Sequence, residues 1–198
     1  MFANRFTVVL DACVLVPTLT RNLLLSLAEA ELFRIAWSER ILDEAEAAIR
    51  ALLQQRGHPD PEVAASRSRA NIITAFPEAM VADWERLAAS LTDLPDPDDA
   101  HVIAAALRAR ADQIVTDNLR DFPAALMREA GLEVRSADDF IADAIDLPAA
   151  HGVGVTAVAR MRARLRRPEL SADDLLARME RAGLLHSAAI LAEYKDDL

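Results

Sequence analysis

Cysteine, lysine, glycine and aromatic residues are scarce in this sequence, and no apolar run is long enough to cross a bilayer. Cys13 is the single cysteine among 198 residues, which excludes an intrachain disulfide and any multi-cysteine zinc or iron–sulfur site within one chain. That usage fits a reducing compartment. With 5 glycines and 9 prolines, collagen-like and linker-like compositions are excluded. The stretch Leu23–Ala28 is short and soon meets Glu29 and Glu31, so it predicts no membrane span. Residues 1–5 lack the apolar core and small-residue cleavage site of a signal peptide. The expectation is a soluble, cytoplasmic protein with no membrane partner.

What is present is apolar and acidic. A hydrophobic fraction of 53% is enough to bury a core, which excludes global disorder. The length suits one domain with at most a small addition. The formal net charge is -10, from 22 basic and 32 acidic residues, and Lys195 is the only lysine. Residues 151–198 hold 8 basic and 7 acidic side chains, so 14 basic and 25 acidic fall in residues 1–150. A broad positive field for nucleic acid is therefore absent. Any nucleic-acid chemistry needs local arginines or a bound cation.

The apolar run Phe6–Leu10 predicts a buried strand of a parallel sheet. Leu19, Leu23, Leu24, Leu27, Ala28 and Leu32 give helical spacing over 18–34. Phe33–Trp37 predicts a second strand, Ser38 an N-cap, and Ile41, Leu42, Ala45, Ala48, Ile49 and Leu52 the helix after it. Residues 57–61 predict a loop; 62–74 and 79–91 predict helices. The turn-rich Leu94–Asp99 leads into a helix over 100–109. Gln113–Thr116 and Leu132–Arg135 predict two more strands, and Ser136 caps a helix over 137–145. Pro148, Gly152 and Gly154 then interrupt the pattern, and helices are predicted over 155–166, 171–182 and 185–194. Strands alternating with helices define an α/β fold with a parallel sheet covered on both faces. The interruption divides the chain into a domain over 1–147 and a helical extension over 148–198.

Carboxylates recur where such a sheet collects its function, outside the carboxyl ends of the strands. Asp11 follows the first strand, and Asp117 and Asp121 follow the strand ending at Thr116. Asp96, Asp98 and Asp99 stand at a helix entrance, and Glu44 lies about two turns into its helix. Each has a plain structural alternative: an Asp at a helix start caps it, and Glu44 could be a solvated helix residue. Asp11 resists that reading, because it interrupts a buried-looking run and a buried carboxylate is costly unless paired or bound to metal. Together the acids favour a hard-cation site for Mg²⁺ or Mn²⁺.

In their order, Val8-Val9-Leu10-Asp11, Trp37-Ser38-Glu39-Arg40-Ile41-Leu42-Asp43-Glu44, Leu94-Pro95-Asp96-Pro97-Asp98-Asp99-Ala100-His101 and Ile114-Val115-Thr116-Asp117-Asn118-Leu119-Arg120-Asp121-Phe122-Pro123 resemble the motifs of PIN-domain nucleases. The similarity is greatest to VapC-type toxins of bacterial toxin–antitoxin pairs. It runs over roughly residues 6–140. Residues 159–165 and 175–184 resemble the helical C-terminal extension of one subgroup. The resemblance implies a PIN-like three-layer α/β/α sandwich with a mostly parallel sheet. It further implies a ribonuclease dependent on Mg²⁺ or Mn²⁺, with RNA as substrate and a cognate antitoxin protein as partner; the apolar stripe Leu175, Leu176, Met179, Leu184, Leu185, Ile190 and Leu191 is expected to be core or homodimer packing. Asp11, Glu44, Asp99 and Asp121 are the implied catalytic and metal-binding acids, with Asp117 and Asp96 as further candidates. Asn118 replaces the acid that many members carry two residues after the Thr. Thr116, Asn118 and Arg120 are implied to support the site or touch substrate; for Arg120 the alternative is an ion pair with a neighbouring acid. His101 is either a general base or a capping or packing residue.

Arg160, Arg162, Arg164, Arg166 and Arg167 form the only basic concentration. It either guides RNA toward the acids or pairs with acids as a solvated helix face. At the level of function, the alternative to a nuclease is a catalytically weak PIN-like module that acts through a protein partner.

Overall fold

Val8, Val9 and Leu10 are wholly buried, as are Ile114 and Val115, and these two apolar runs lie side by side at the centre of a parallel sheet. The structure, a computed structural model, describes residues 6–91, 94–147, 152–165 and 170–198. The strands are β1 (Thr7–Leu10), β2 (Arg34–Ser38), β3 (Met80–Val81), β4 (Gln113–Val115) and β5 (Glu133–Arg135). They pair in the order β3-β2-β1-β4-β5, all parallel. The register sets Val9 against Ile114 and Trp37 against Met80. Parallel strands need helical crossovers, and the class is a three-layer α/β/α sandwich with further helices toward the C-terminus. From β1 the chain runs outward to β2 and β3 on one side, then returns to place β4 and β5 on the other. The space beyond the carboxyl ends of β1 and β4 is therefore the switch point of the sheet.

The chain folds as two compact units, Phe6–Val16 with Ile35–Val134, and Pro17–Arg34 with Arg135–Leu198. In the first, α1 (Ala12–Leu15) follows β1 and packs on α3 (Glu39–Gln55). The Ser38 hydroxyl accepts from the Ile41 amide at 3.3 Å, so the predicted cap is present. Helix α4 (Pro61–Ala75) lies on α3. Arg69 of α4 meets Glu39, Asp43 and Glu46 of α3, which accounts for much of that helix's acidic face. Residues 79–91 were expected to be helical throughout; instead Met80–Val81 forms β3 and only α5 (Glu85–Ala88) is helical. Two residues are too few to show an alternating pattern, and the pairing with Trp37 and Ser38 decides the matter. Helix α6 (Ala100–Ala109) follows a 3₁₀ turn at Pro97–Asp99, and α7 (Ala124–Glu129) precedes β5.

The second unit joins α2 (Thr18–Glu29) to α8 (Ala137–Ile145), α9 (Val153–Arg164), α10 (Ala172–Arg181) and α11 (Leu185–Glu193). Leu23, Leu24, Leu27, Ile141, Val158, Leu175 and Met179 are buried here, and Phe33 meets Phe140 edge-on at 4.7 Å. Helix α9 packs closely on α8: a Cβ at Gly154 would lie 2.9 Å from the Ile145 Cα. Asp138 of α8 accepts from the His186 and Ser187 amides at 2.9 Å each and so caps α11. Arg162 donates to the Leu170 and Leu198 carbonyls, and Arg164 forms a two-pronged pair with Glu29. Two members of the arginine cluster are thus engaged within their own unit. Arg166 and Arg167, like Pro148, lie outside the described residues.

Candidate active site

Asp11 has the 6% exposure of a core residue, and local backbone geometry puts it there. Its amide donates to the Val115 carbonyl at 3.1 Å, extending the β1–β4 ladder by one bond. Its carboxylate then turns to cap α1, Oδ1 accepting from the Ala12 amide at 2.6 Å. Oδ2 accepts from the Thr116 hydroxyl at 2.6 Å and from the Cys13 thiol at 3.1 Å. Three donors make burial of this charge tolerable. Thr116, itself wholly buried, accepts in turn from the Asn118 amide at 3.0 Å. Asn118 thus contributes its backbone to this network.

Sequence reasoning assigned no role to Cys13, whose partners besides Asp11 lie across the strand gap. Its sulfur accepts from the Asp117 amide at 3.3 Å. Burial, then the Asp11 charge, push the thiol pKa up to about 12. The residue therefore stays a thiol and can keep donating to Asp11.

The acids at the entrance of α6 divide into two kinds. Asp96 caps: its Oδ1 accepts from the Asp98 amide at 2.9 Å. Asp99 occupies the N-cap position of α6 but makes no side-chain cap bond, and its Oδ2 is buried with no partner. Burial raises the Asp99 pKa, and the charges of Asp11, Asp121 and Asp96 raise it further, to about 6; His101 pulls the other way. Asp11, Asp121 and Asp96 therefore each stand near enough to Asp99 for their charges to act on it. Asp121 ends a 3₁₀ turn at Leu119–Asp121, while Asp117, Asn118, Leu119 and Arg120 are exposed around it.

Glu44 reaches this group through other residues. Its Oε1 accepts from Arg40 Nε at 3.1 Å and from His101 Nε2 at 3.0 Å. Burial alone would raise its pKa, but the His101 and Arg40 bonds outweigh that and hold the carboxyl below its usual range. The guanidinium of Arg40 also lies 3.6 Å from Asp98. His101 was identifiable as a candidate, but its pairing with Glu44 joins two helices and leaves no local pattern.

Among the described residues, no three His, Cys, Asp or Glu side chains stand grouped as ligands of one metal ion. The donor chemistry nevertheless fits a hard cation. Asp99 presents an unpartnered buried oxygen and is crowded by like charges, and a cation satisfies the one and offsets the other.

Acids gathered at the switch point of a parallel sheet mark an α/β protein with an electronegative site. The chain belongs to the PIN-domain family, in its VapC-type form: the model described as PIN domain matches residues 7–120, and that described as VapC50 C-terminal domain matches residues 137–193. It is 45% identical over 49 residues to "Putative ribonuclease VapC50" of Mycobacterium tuberculosis (strain ATCC 25618 / H37Rv). That match covers 25% of this chain and 29% of the relative, so less than a third of the relative's length is spanned. No solved structure matches the chain.

Proposed function

We propose that the chain is a divalent-metal-dependent endoribonuclease acting as the toxin of a toxin–antitoxin pair. The observation that carries this reading is Asp99, a carboxylate without a cap or a partner, in the field of Asp11, Asp121 and Asp96. The family membership and the relative's name support the same chemistry. Asp11, Glu44, Asp99 and Asp121 are the residues to hold Mg²⁺ or Mn²⁺, with Asp96 and Asp117 as additional acids. When bound, such an ion supplies a water of lowered pKa and offsets charge on the phosphodiester.

The chain's own groups prepare the site. Thr116, Cys13 and the Ala12 amide fix the Asp11 carboxylate against rotation. Arg40 and His101 fix Glu44. Arg120 is exposed on the turn that carries Asp121, and there its guanidinium meets an RNA phosphate. A cognate antitoxin, a cytoplasmic location, a homodimer, and a nuclease domain over 1–147 with an extension over 148–198 belong to the same proposal.

The test is cleavage of RNA by the purified chain with Mn²⁺ or Mg²⁺, repeated in excess EDTA and with Asp11→Asn. Cleavage that needs the ion and is lost in the variant is expected. Full cleavage in EDTA refutes metal dependence, and no cleavage under any condition favours a binding module that acts through its protein partner.

A further inference from the structure

We infer that His101 is a positioning residue for Glu44, and that it sets the affinity of the acidic site for a divalent cation; this rests on the metal-dependent reading above. The imidazole is among the most deeply buried polar groups of the chain, its side chain 1% exposed. It stands in the first turn of α6, two residues past Asp99, with the Trp84 ring 5.9 Å away. A carboxylate can only accept, so the 3.0 Å contact with Glu44 requires a proton on Nε2. Nδ1 is buried and has no partner. The hydrogen bond to Glu44 is thus the polar contact that offsets burial of this ring.

Glu44 needs such a donor. It is half-buried, and its carboxylate sits at the end of a flexible side chain. Arg40 and His101 both donate to the same oxygen, Oε1, which leaves Oε2 as the oxygen to face a cation. The two donors differ in rigidity. Arg40 is 43% exposed and is shared with Asp98, and an exposed i,i+4 pair holds little. His101 is immobilised by packing. One helix turn thereby carries both an uncapped carboxylate, Asp99, and the donor that aims a second, Glu44, from α3. Packing alone would explain a buried ring, but it predicts no dependence of cation affinity on what the ring donates.

The test is a Mn²⁺ titration of the metal-free full chain, reading free Mn²⁺ by electron paramagnetic resonance, with circular dichroism and urea unfolding as checks of folding. His101→Leu is expected to weaken Mn²⁺ about 10- to 100-fold, the usual cost of removing a group that orients a ligand. His101→Gln, whose amide can still donate to Glu44, recovers most of that. In a Glu44→Gln background His101→Leu costs nothing further, because the residue acts through Glu44. Affinity within about twofold of wild type in a folded His101→Leu variant overturns the inference. So does an undiminished loss in the Glu44→Gln background. Should His101→Leu not fold, His101→Asn, too short to reach Glu44, is compared with His101→Gln, and equal affinities overturn it. A wild-type chain that binds no Mn²⁺ overturns instead the metal-dependent reading on which the inference stands.

Discussion

The Thr116 hydroxyl donates to Asp11 Oδ2 at 2.6 Å, joining the ends of two neighbouring strands across 105 residues of sequence. Both groups are buried, so neither has water as an easy substitute. Thr116→Val keeps the shape and removes the hydroxyl. It is expected to cost about 1–3 kcal/mol in urea unfolding, because it strips a donor from a buried charge and an acceptor from the Asn118 amide. Thr116→Ser should lose much less. Equal stability of all three proteins would show that the bond carries no weight.

Asp99 gives a pH signature. Its pKa is about 6 in the folded chain against an ordinary 3.8, so the folded state holds the proton more tightly than the unfolded state. Its contribution is most favourable below about pH 4 and is lost as pH rises through about 6. In EDTA, Asp99→Asn should therefore gain stability relative to wild type across that interval and keep the gain above it. A stability difference that does not vary with pH would contradict the crowding.

Asp121 and Asp117 are both acids after β4, but the charge of Asp121 helps to raise the Asp99 pKa. Asp121→Asn should lower the Asp99 pKa followed by carboxyl NMR, and it should reduce RNA cleavage more than Asp117→Asn does. The reverse order would make Asp117 the fourth acid of the site.

Gly154 sits where a Cβ would meet the Ile145 backbone at 2.9 Å. Backbone cannot rotate aside as a side chain can, so Gly154→Ala should force α9 away from α8 at a cost of about 1–3 kcal/mol. Thermal unfolding checks it; an unchanged midpoint would mean the helices part freely.

Truncation after Leu147 removes α9, which packs on α2, and α11, which packs on α8. Light scattering should report association of the shortened chain through the apolar surface left on those helices, and its unfolding midpoint should fall. A monodisperse, equally stable fragment would mark the C-terminal helices as a mere appendage.

Much of this architecture was legible because its signals are local. Ser136 followed by Phe140 and Ile141 reads as a capped amphipathic helix, and α8 spans Ala137–Ile145 as expected. The apolar runs that become β1 and β4 were equally plain, and so were the acids that terminate or follow them. What escaped depends on distant partners. β3 exists through its pairing with β2, and α1 is a single short turn stabilised by Asp11. Cys13 meets the Asp117 amide only when β4 is alongside. Likewise Asp96 and Asp99 look alike in sequence; only the folded backbone shows that one caps and the other is left unpartnered.

The interleaved path of the chain imposes an order on its birth. Asp11, Glu44, Asp99, Thr116 and Asp121 all belong to the unit whose last residue is Val134. Helix α2 is made near the start, yet its partner α9 ends only at Arg164. At synthesis rates of about 5–20 residues per second, the ribosome needs roughly 2–6 s to pass from Val134 to Arg164. For those seconds every candidate acid has already been polymerised, while Leu23, Leu24 and Leu27 of the nascent α2 still wait for the helix that packs on it.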